Sequence, residues 1–137
     1  MIRILVGSKE LEFDPDIPLD VRTRIIERGT DAFRYHTASD AIRDATAWRS
    51  AEVEVFGVWE CSCVAAVIIY GLDQGMRVRV PRGYTWNGQT DGKPLPSEYL
   101  QKKVQSFLKT RVDMRSESKY LHFSSAKAEE LILRPDQ

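Results

Sequence analysis

The longest uninterrupted apolar run in this chain, Cys63 to Tyr70, is eight residues. That limit constrains the fold more than any other feature. A membrane-spanning helix needs roughly 20 apolar residues, so a run this short reads as a buried element of a water-exposed domain. Val64-Ala-Ala-Val-Ile-Ile-Tyr70 is apolar on both parities. A central strand covered on both faces has that pattern, and so does a short buried helix; periodicity does not separate them at this length. The core must therefore be assembled from short elements.

Turn residues divide the remaining apolar segments. Ile2–Val6 and Glu10–Phe13 read as two strands joined by a Gly7-Ser8-Lys9 turn. Pro18 with Ile17, Val21 and Ile25 at four-residue spacing predicts a helix stopped by Gly29. Phe33–Thr37 reads as extended. Ser39 with Asp40 resembles a helix start, followed by the stripe Ala41, Ile42, Ala45 and Trp48. Glu52–Phe56 alternates as a strand with one wet face, ended by Gly57. Met76-Arg-Val-Arg-Val80 also alternates. Met76, Val78 and Val80 are expected inward, Arg77 and Arg79 on the other face, in a hairpin with Val64–Tyr70 across the turn Gly71–Gly75.

A long loop runs from Pro81 to Pro96, with Asn87-Gly88 and Asp91-Gly92 as turn signals. Ser97 then caps a helix with Leu100, Val104, Phe107 and Leu108 on its apolar face. A second hairpin pairs Val112–Arg115 with Tyr120–Phe123. A short turn near Ala126–Glu130 precedes Leu131-Ile-Leu133, a candidate final strand. Hairpins outnumber β-α-β units. The expected fold is α+β: one domain over residues 1–137, with a mainly antiparallel sheet built from hairpins and about three helices packed on it.

At 137 residues and 42% apolar content, the chain can bury a core without disulfides. Cys61 and Cys63 are too close for an unstrained bridge and lack zinc-site spacing, so they read as two small buried thiols in a reduced, cytoplasmic setting. The start of the chain has no secretory signal pattern. Net charge is zero, which disfavours a general nucleic-acid coat. The charge is nevertheless split: residues 1–75 hold 8 Lys/Arg against 13 Asp/Glu, and residues 76–137 hold 12 against 7. The halves can attract one another within the fold or between copies of a homo-oligomer.

The basic half contains the densest binding chemistry. Arg77, Arg79 and Arg82 suit forked hydrogen bonds to phosphate or carboxylate. Tyr84 and Trp86 suit stacking on a flat ring, and Asn87 adds an amide. Lys102 and Lys103 follow on the next helix. The alternative is that Tyr84 and Trp86 fold into the core while the arginines pair with Glu52 and Glu54 on a neighbouring strand.

His122-Phe-Ser124 resembles half of the motif of two-histidine phosphoesterases, whose paired histidines act as base and acid on one phosphate. The other copy, His36-Thr-Ala38, lacks the hydroxyl. That resemblance implies a small phosphoesterase. The leading expectation is instead a non-catalytic accessory or inhibitor-type protein without cofactor or metal. Its contact surface comprises Arg77, Arg79, Arg82, Tyr84, Trp86, Asn87, Lys102 and Lys103. Its partner is a nucleotide-like anion or an acidic protein, with a nucleic-acid binder as the alternative.

Overall fold

Gly7 decides how the chain leaves its first strand. Its φ of 79° is left-handed, and a Cβ there would stand 2.1 Å from the Val58 carbonyl oxygen. Only glycine allows that turn at that approach. The chain therefore passes from β1 (Ile2–Val6) directly into helix α1 (Ser8–Phe13), not into a hairpin. Helix α2 (Leu19–Arg28) returns it to β2 (Phe33–Tyr35), and α3 (Ala38–Arg43) and α4 (Ala45–Trp48) lead to β3 (Glu52–Val58). One π-helical turn (Glu60–Val64) opens α5 (Ala65–Asp73), followed by β4 (Arg77–Pro81) and β5 (Thr85–Trp86). Helix α6 (Glu98–Phe107), the hairpin β6 (Val112–Ser116) and β7 (Tyr120–Ser125), and helix α7 (Ala126–Leu133) complete the chain. The computed structural model describes residues 1–87 and 98–133.

The strand order is β2-β1-β3-β4-β7-β6, with β5 paired to the carboxyl end of β3. Four pairings are parallel (β1 with β2, β1 with β3, β3 with β4, β3 with β5), and two are antiparallel (β4 with β7, β6 with β7). The fold is thus α+β with a seven-stranded mixed sheet and seven helices among the described residues, not the expected mainly antiparallel sheet with three helices.

Two segments cause the difference. Glu10–Phe13 alternates like a strand, yet it is helical, with only Leu11 buried and Phe13 72% exposed. Val64–Tyr70 lies in the π turn and α5, not in a strand paired with β4. Helix α5 is apolar all round because it is sandwiched: it packs on β3, β4 and β7 beneath α3, α6 and α7. Two expected hairpins become crossovers, and crossovers make neighbouring strands parallel.

Each face of the sheet has its own core. Ile4, Val6, Val53, Val55, Val78, Val80, Leu121 and Phe123 point to the face covered by α3–α7. Trp48 is fully buried there and donates from Nε1 to the Ala41 carbonyl at 2.9 Å. On the other face Leu5, Phe56 and Val58 meet Leu11, Ile17, Val21 and Ile25 of α1, α2 and their linker. This second core stops at β3. Beyond it, β4, β7 and β6 present Arg79, His122 and Arg115 in one row, in register with Glu54 and Arg3.

Smaller expectations also shift. The cap of α3 is Thr37, whose hydroxyl accepts from the Asp40 N–H at 3.1 Å; Ser39 lies inside the helix. The expected wet face of β3 is covered, with Glu54 fully buried. Leu131–Leu133 belongs to α7. The Ser97 cap and the turn residues from Gly88 to Gly92 lie outside the described residues. No helix among the described residues is long and apolar enough to cross a membrane.

Candidate functional site

The chain leaves β1 to form β2 on one side, then returns to form β3 on the other side of β1. Connections therefore diverge at the carboxyl ends of β1 and β3. In open parallel sheets, the crevice at such a reversal is where ligands bind. Gly57 keeps the two strands in register up to that edge: its φ is 121°, and a Cβ there would sit 2.0 Å from the Val6 carbonyl oxygen. The side chains that follow the strands are polar or aromatic.

Ser8 starts α1, and its hydroxyl is hydrogen-bonded to His36 Nδ1, just past β2, at 2.8 Å. Asp40 in the next helix has its carboxyl held below the usual range. The main cause is the Thr37 hydroxyl, and the charges of Arg43 and His36 add to it. Past β3 the Val58–Trp59 peptide is cis, and Glu60 is fully buried. Thr85 donates from Oγ1 to Glu60 Oε2 at 2.7 Å, while Cys61 Sγ lies 4.0 Å from Glu60 Oε1. Asn87 donates from Nδ2 to Cys61 Sγ at 3.5 Å. Trp59 and Trp86 are half-buried against the second core.

Two polar atoms on these segments are buried without a hydrogen bond: Glu10 Oε2 on α1 and Trp86 Nε1 on β5. Buried polar groups are almost always paired, and an orphan acceptor and an orphan donor at one strand edge need an explanation. The edge thus offers two indole faces, a histidine, a serine and unspent hydrogen-bonding capacity.

A second constellation lies on the open face beside α2. Glu54 accepts from Arg28 Nε at 2.9 Å and Nη2 at 2.8 Å, and from Arg79 Nε at 3.1 Å; Arg3 Nε stands 3.6 Å away. Glu54 pushes the Arg28 pKa up further, so this guanidinium stays charged. Tyrosine rings separate the arginines. Arg24 lies 5.9 Å and Arg28 4.6 Å from the Tyr84 centroid; Arg28 lies 5.9 Å and Arg79 4.1 Å from that of Tyr120. A cavity of about 420 Å³ opens here, lined by Arg28, Arg82, Tyr84, Lys119 and Tyr120.

The residues singled out from sequence are dispersed. Arg79, Arg82 and Tyr84 meet at the α2 groove, where Arg79 has taken the anticipated partner Glu54. Arg77 is exposed opposite Glu52. Trp86 and Asn87 belong to the carboxyl edge. Lys102 and Lys103 ride on α6, whose Leu100 and Val104 pack in the core of the opposite sheet face, so they do not join the arginines. His36 and His122 are not brought together. Strands β1, β3 and β4 lie between β2 and β7, a separation of about 19 Å at ordinary strand spacing. His122 Nε2 instead meets Glu117 Oε2 at 3.0 Å.

Sequence reasoning missed Ser8, Glu10, Trp59 and Glu60 at the edge, and Arg28, Lys119 and Tyr120 in the groove. Gly7-Ser8 at a strand end was a usable signal for a strand-turn-helix passage, masked by the alternation after it. Arg24 and Arg28, four apart on a predicted helix, signalled one basic helix face. Among the described residues no three of His, Cys, Asp and Glu gather as a metal-binding group, and neither cysteine is in a disulfide. Comparison with protein-family models, with curated proteins and with solved structures gave no match.

Proposed function

We propose that this chain is a non-catalytic binding protein for a small polar molecule carrying a flat ring, of the nucleoside or nucleotide type. Its site is the carboxyl edge of β1 and β3. The observation that carries this reading is the reversal of strand order there, the place where open α/β sheets bind ligands. The chemistry of the edge agrees with it. Trp59 and Trp86 supply ring faces for stacking, worth about 1–3 kcal/mol per base. Glu10 Oε2 accepts and Trp86 Nε1 donates, the pair of roles that a nucleobase edge complements. Ser8 and His36 add a second polar rim.

The test is a titration of tryptophan fluorescence with uncharged nucleosides and with their monophosphates. Trp48, buried on the other face, serves as an internal reference that does not respond. A saturable change is expected for at least one base. Trp86→Phe keeps a ring and removes the orphan donor, so it should weaken binding roughly threefold to tenfold, the worth of one hydrogen bond. His36→Ala should weaken it by a similar factor. No saturable response to any nucleoside or nucleotide overturns the reading.

A further inference from the structure

We propose that the groove beside α2 is a separate binding site for a phosphate monoester or diphosphate group. Three guanidiniums, Arg3, Arg28 and Arg79, converge on the single carboxylate of Glu54, which is fully buried. That leaves an excess of two positive charges at a site where the Arg28 and Arg79 side chains are only 17% and 19% exposed. Like charges held close together in a partly buried place call for a counter-anion. The tyrosine rings of Tyr84 and Tyr120 soften the repulsion through their negative faces, and they also fix the planes of the arginines.

The cavity is on the same side, and Arg28, Arg82 and Lys119 line it with no carboxylate among its described lining residues. Arg82 is anchored by donating from Nε to the Glu117 carbonyl at 2.7 Å and from Nη2 to the Ser116 hydroxyl. These bonds leave its Nη1 for a ligand. The Tyr120 hydroxyl accepts from Arg28 Nη2 at 3.4 Å and keeps its own proton to donate. The lining donors come from α2, from β7 and from the turns flanking the strands, so they belong to different elements around one cavity, an arrangement that suits a tetrahedral dianion with several acceptor oxygens. The volume, about 420 Å³, admits a phosphate with a small group attached.

This site shares no lining residue with the carboxyl edge, so the two readings fail separately. Inorganic phosphate, pyrophosphate and a nucleoside 5′-phosphate are titrated against the full chain by calorimetry, with chloride-matched ionic strength. The expected result is saturable binding of pyrophosphate that weakens as salt rises. Lys119→Ala, at an exposed side chain, should weaken it roughly tenfold, the loss of one charge-assisted contact. Arg82→Ala should do the same, and Lys109→Ala, outside the groove, should change nothing. Among binding that Lys119→Ala and Arg82→Ala weaken, a nucleoside phosphate held more tightly than pyrophosphate shows that a ring is also read in the groove; equal binding shows that only phosphate is. Either supports the site. Absence of saturable binding by all three anions, or binding untouched by Lys119→Ala and Arg82→Ala, overturns it.

Discussion

Replacing Glu54 by alanine removes the carboxylate that, among the described residues, pairs with three arginines. Two bonds from Arg28 and one from Arg79 are lost, at 2.8–3.1 Å. Each such bond to a charged group is worth about 1.5–3 kcal/mol. The sum overstates the cost, because the three side chains are 17–39% exposed and can turn toward water. What remains is unscreened repulsion among guanidiniums plus the cavity left by a fully buried side chain, about 3 kcal/mol in total. For a chain of this size that lowers Tm by roughly 9–15 °C. Glu52→Ala on the same strand provides the contrast: Glu52 faces exposed Arg77, and its loss should cost under about 1 kcal/mol. The assay is urea unfolding of both variants beside wild type, repeated with added pyrophosphate. Because the anion substitutes for the missing carboxylate, Glu54→Ala should recover more of its stability than Glu52→Ala does. Equal destabilisation by the two variants would refute the claim that Glu54 neutralises a crowded basic cluster.

Gly57→Ala should leave little folded protein, since a Cβ 2.0 Å from the Val6 carbonyl at a φ of 121° forces β1 from β3; a cooperative melt near the wild-type Tm would contradict it. Trp48→Phe removes the indole bond to the Ala41 carbonyl, which keeps the Asp44 N–H at 3.1 Å, and leaves a void, at a cost of about 1–3 kcal/mol by urea unfolding. The Glu117 carboxyl is held below its ordinary range first by its hydrogen bond with His122 and then by the charge of Arg115. A depressed folded pKa gives stability that is present above the unfolded value, about 4.3, and is lost as pH falls through the folded one. Wild type should therefore exceed Glu117→Gln in Tm at neutral pH, and the two curves should converge in acid; a gap that persists in strong acid would rule out this linkage.

Local pattern was legible wherever one strand face met a core. In Met76–Val80 the parity placed Val78 and Val80 inward and Arg77 and Arg79 on the opposite face, as observed. The β6–β7 hairpin was readable for the same reason. Pattern failed where an element is surrounded. Helix α5 lies between the sheet and three helices, so its apolar residues carry no period, and the run Val64–Tyr70, which includes the last residue of the π turn, fits a strand equally well. Helix α1 buries Leu11 alone, too little to impose a helical stripe. Once those two were misassigned, parallel neighbours became hairpins and the strand reversal disappeared. The candidate edge site vanished with it, because that site exists only where connections from β1 and β3 diverge. Arg79 was visible as a binding candidate, and so was its partner Glu54; Arg28 and Tyr120, brought alongside by tertiary packing, were not.

The central claim, a ring-binding site at the carboxyl ends of β1 and β3, is tested most directly at the Trp86 indole N–H. In a nitrogen–proton correlation spectrum the chain has three indole signals, from Trp48, Trp59 and Trp86. Titration with the nucleoside or nucleotide that quenches fluorescence should move the Trp86 signal furthest, since its buried Nε1 gains a first hydrogen-bond partner. Backbone signals of Gly7 to Glu10 and of His36 should move with it, and the Trp48 signal, already bonded to Ala41, should stay fixed. Shifts confined to the Arg28–Tyr120 groove, with Trp86 unmoved, would contradict the site.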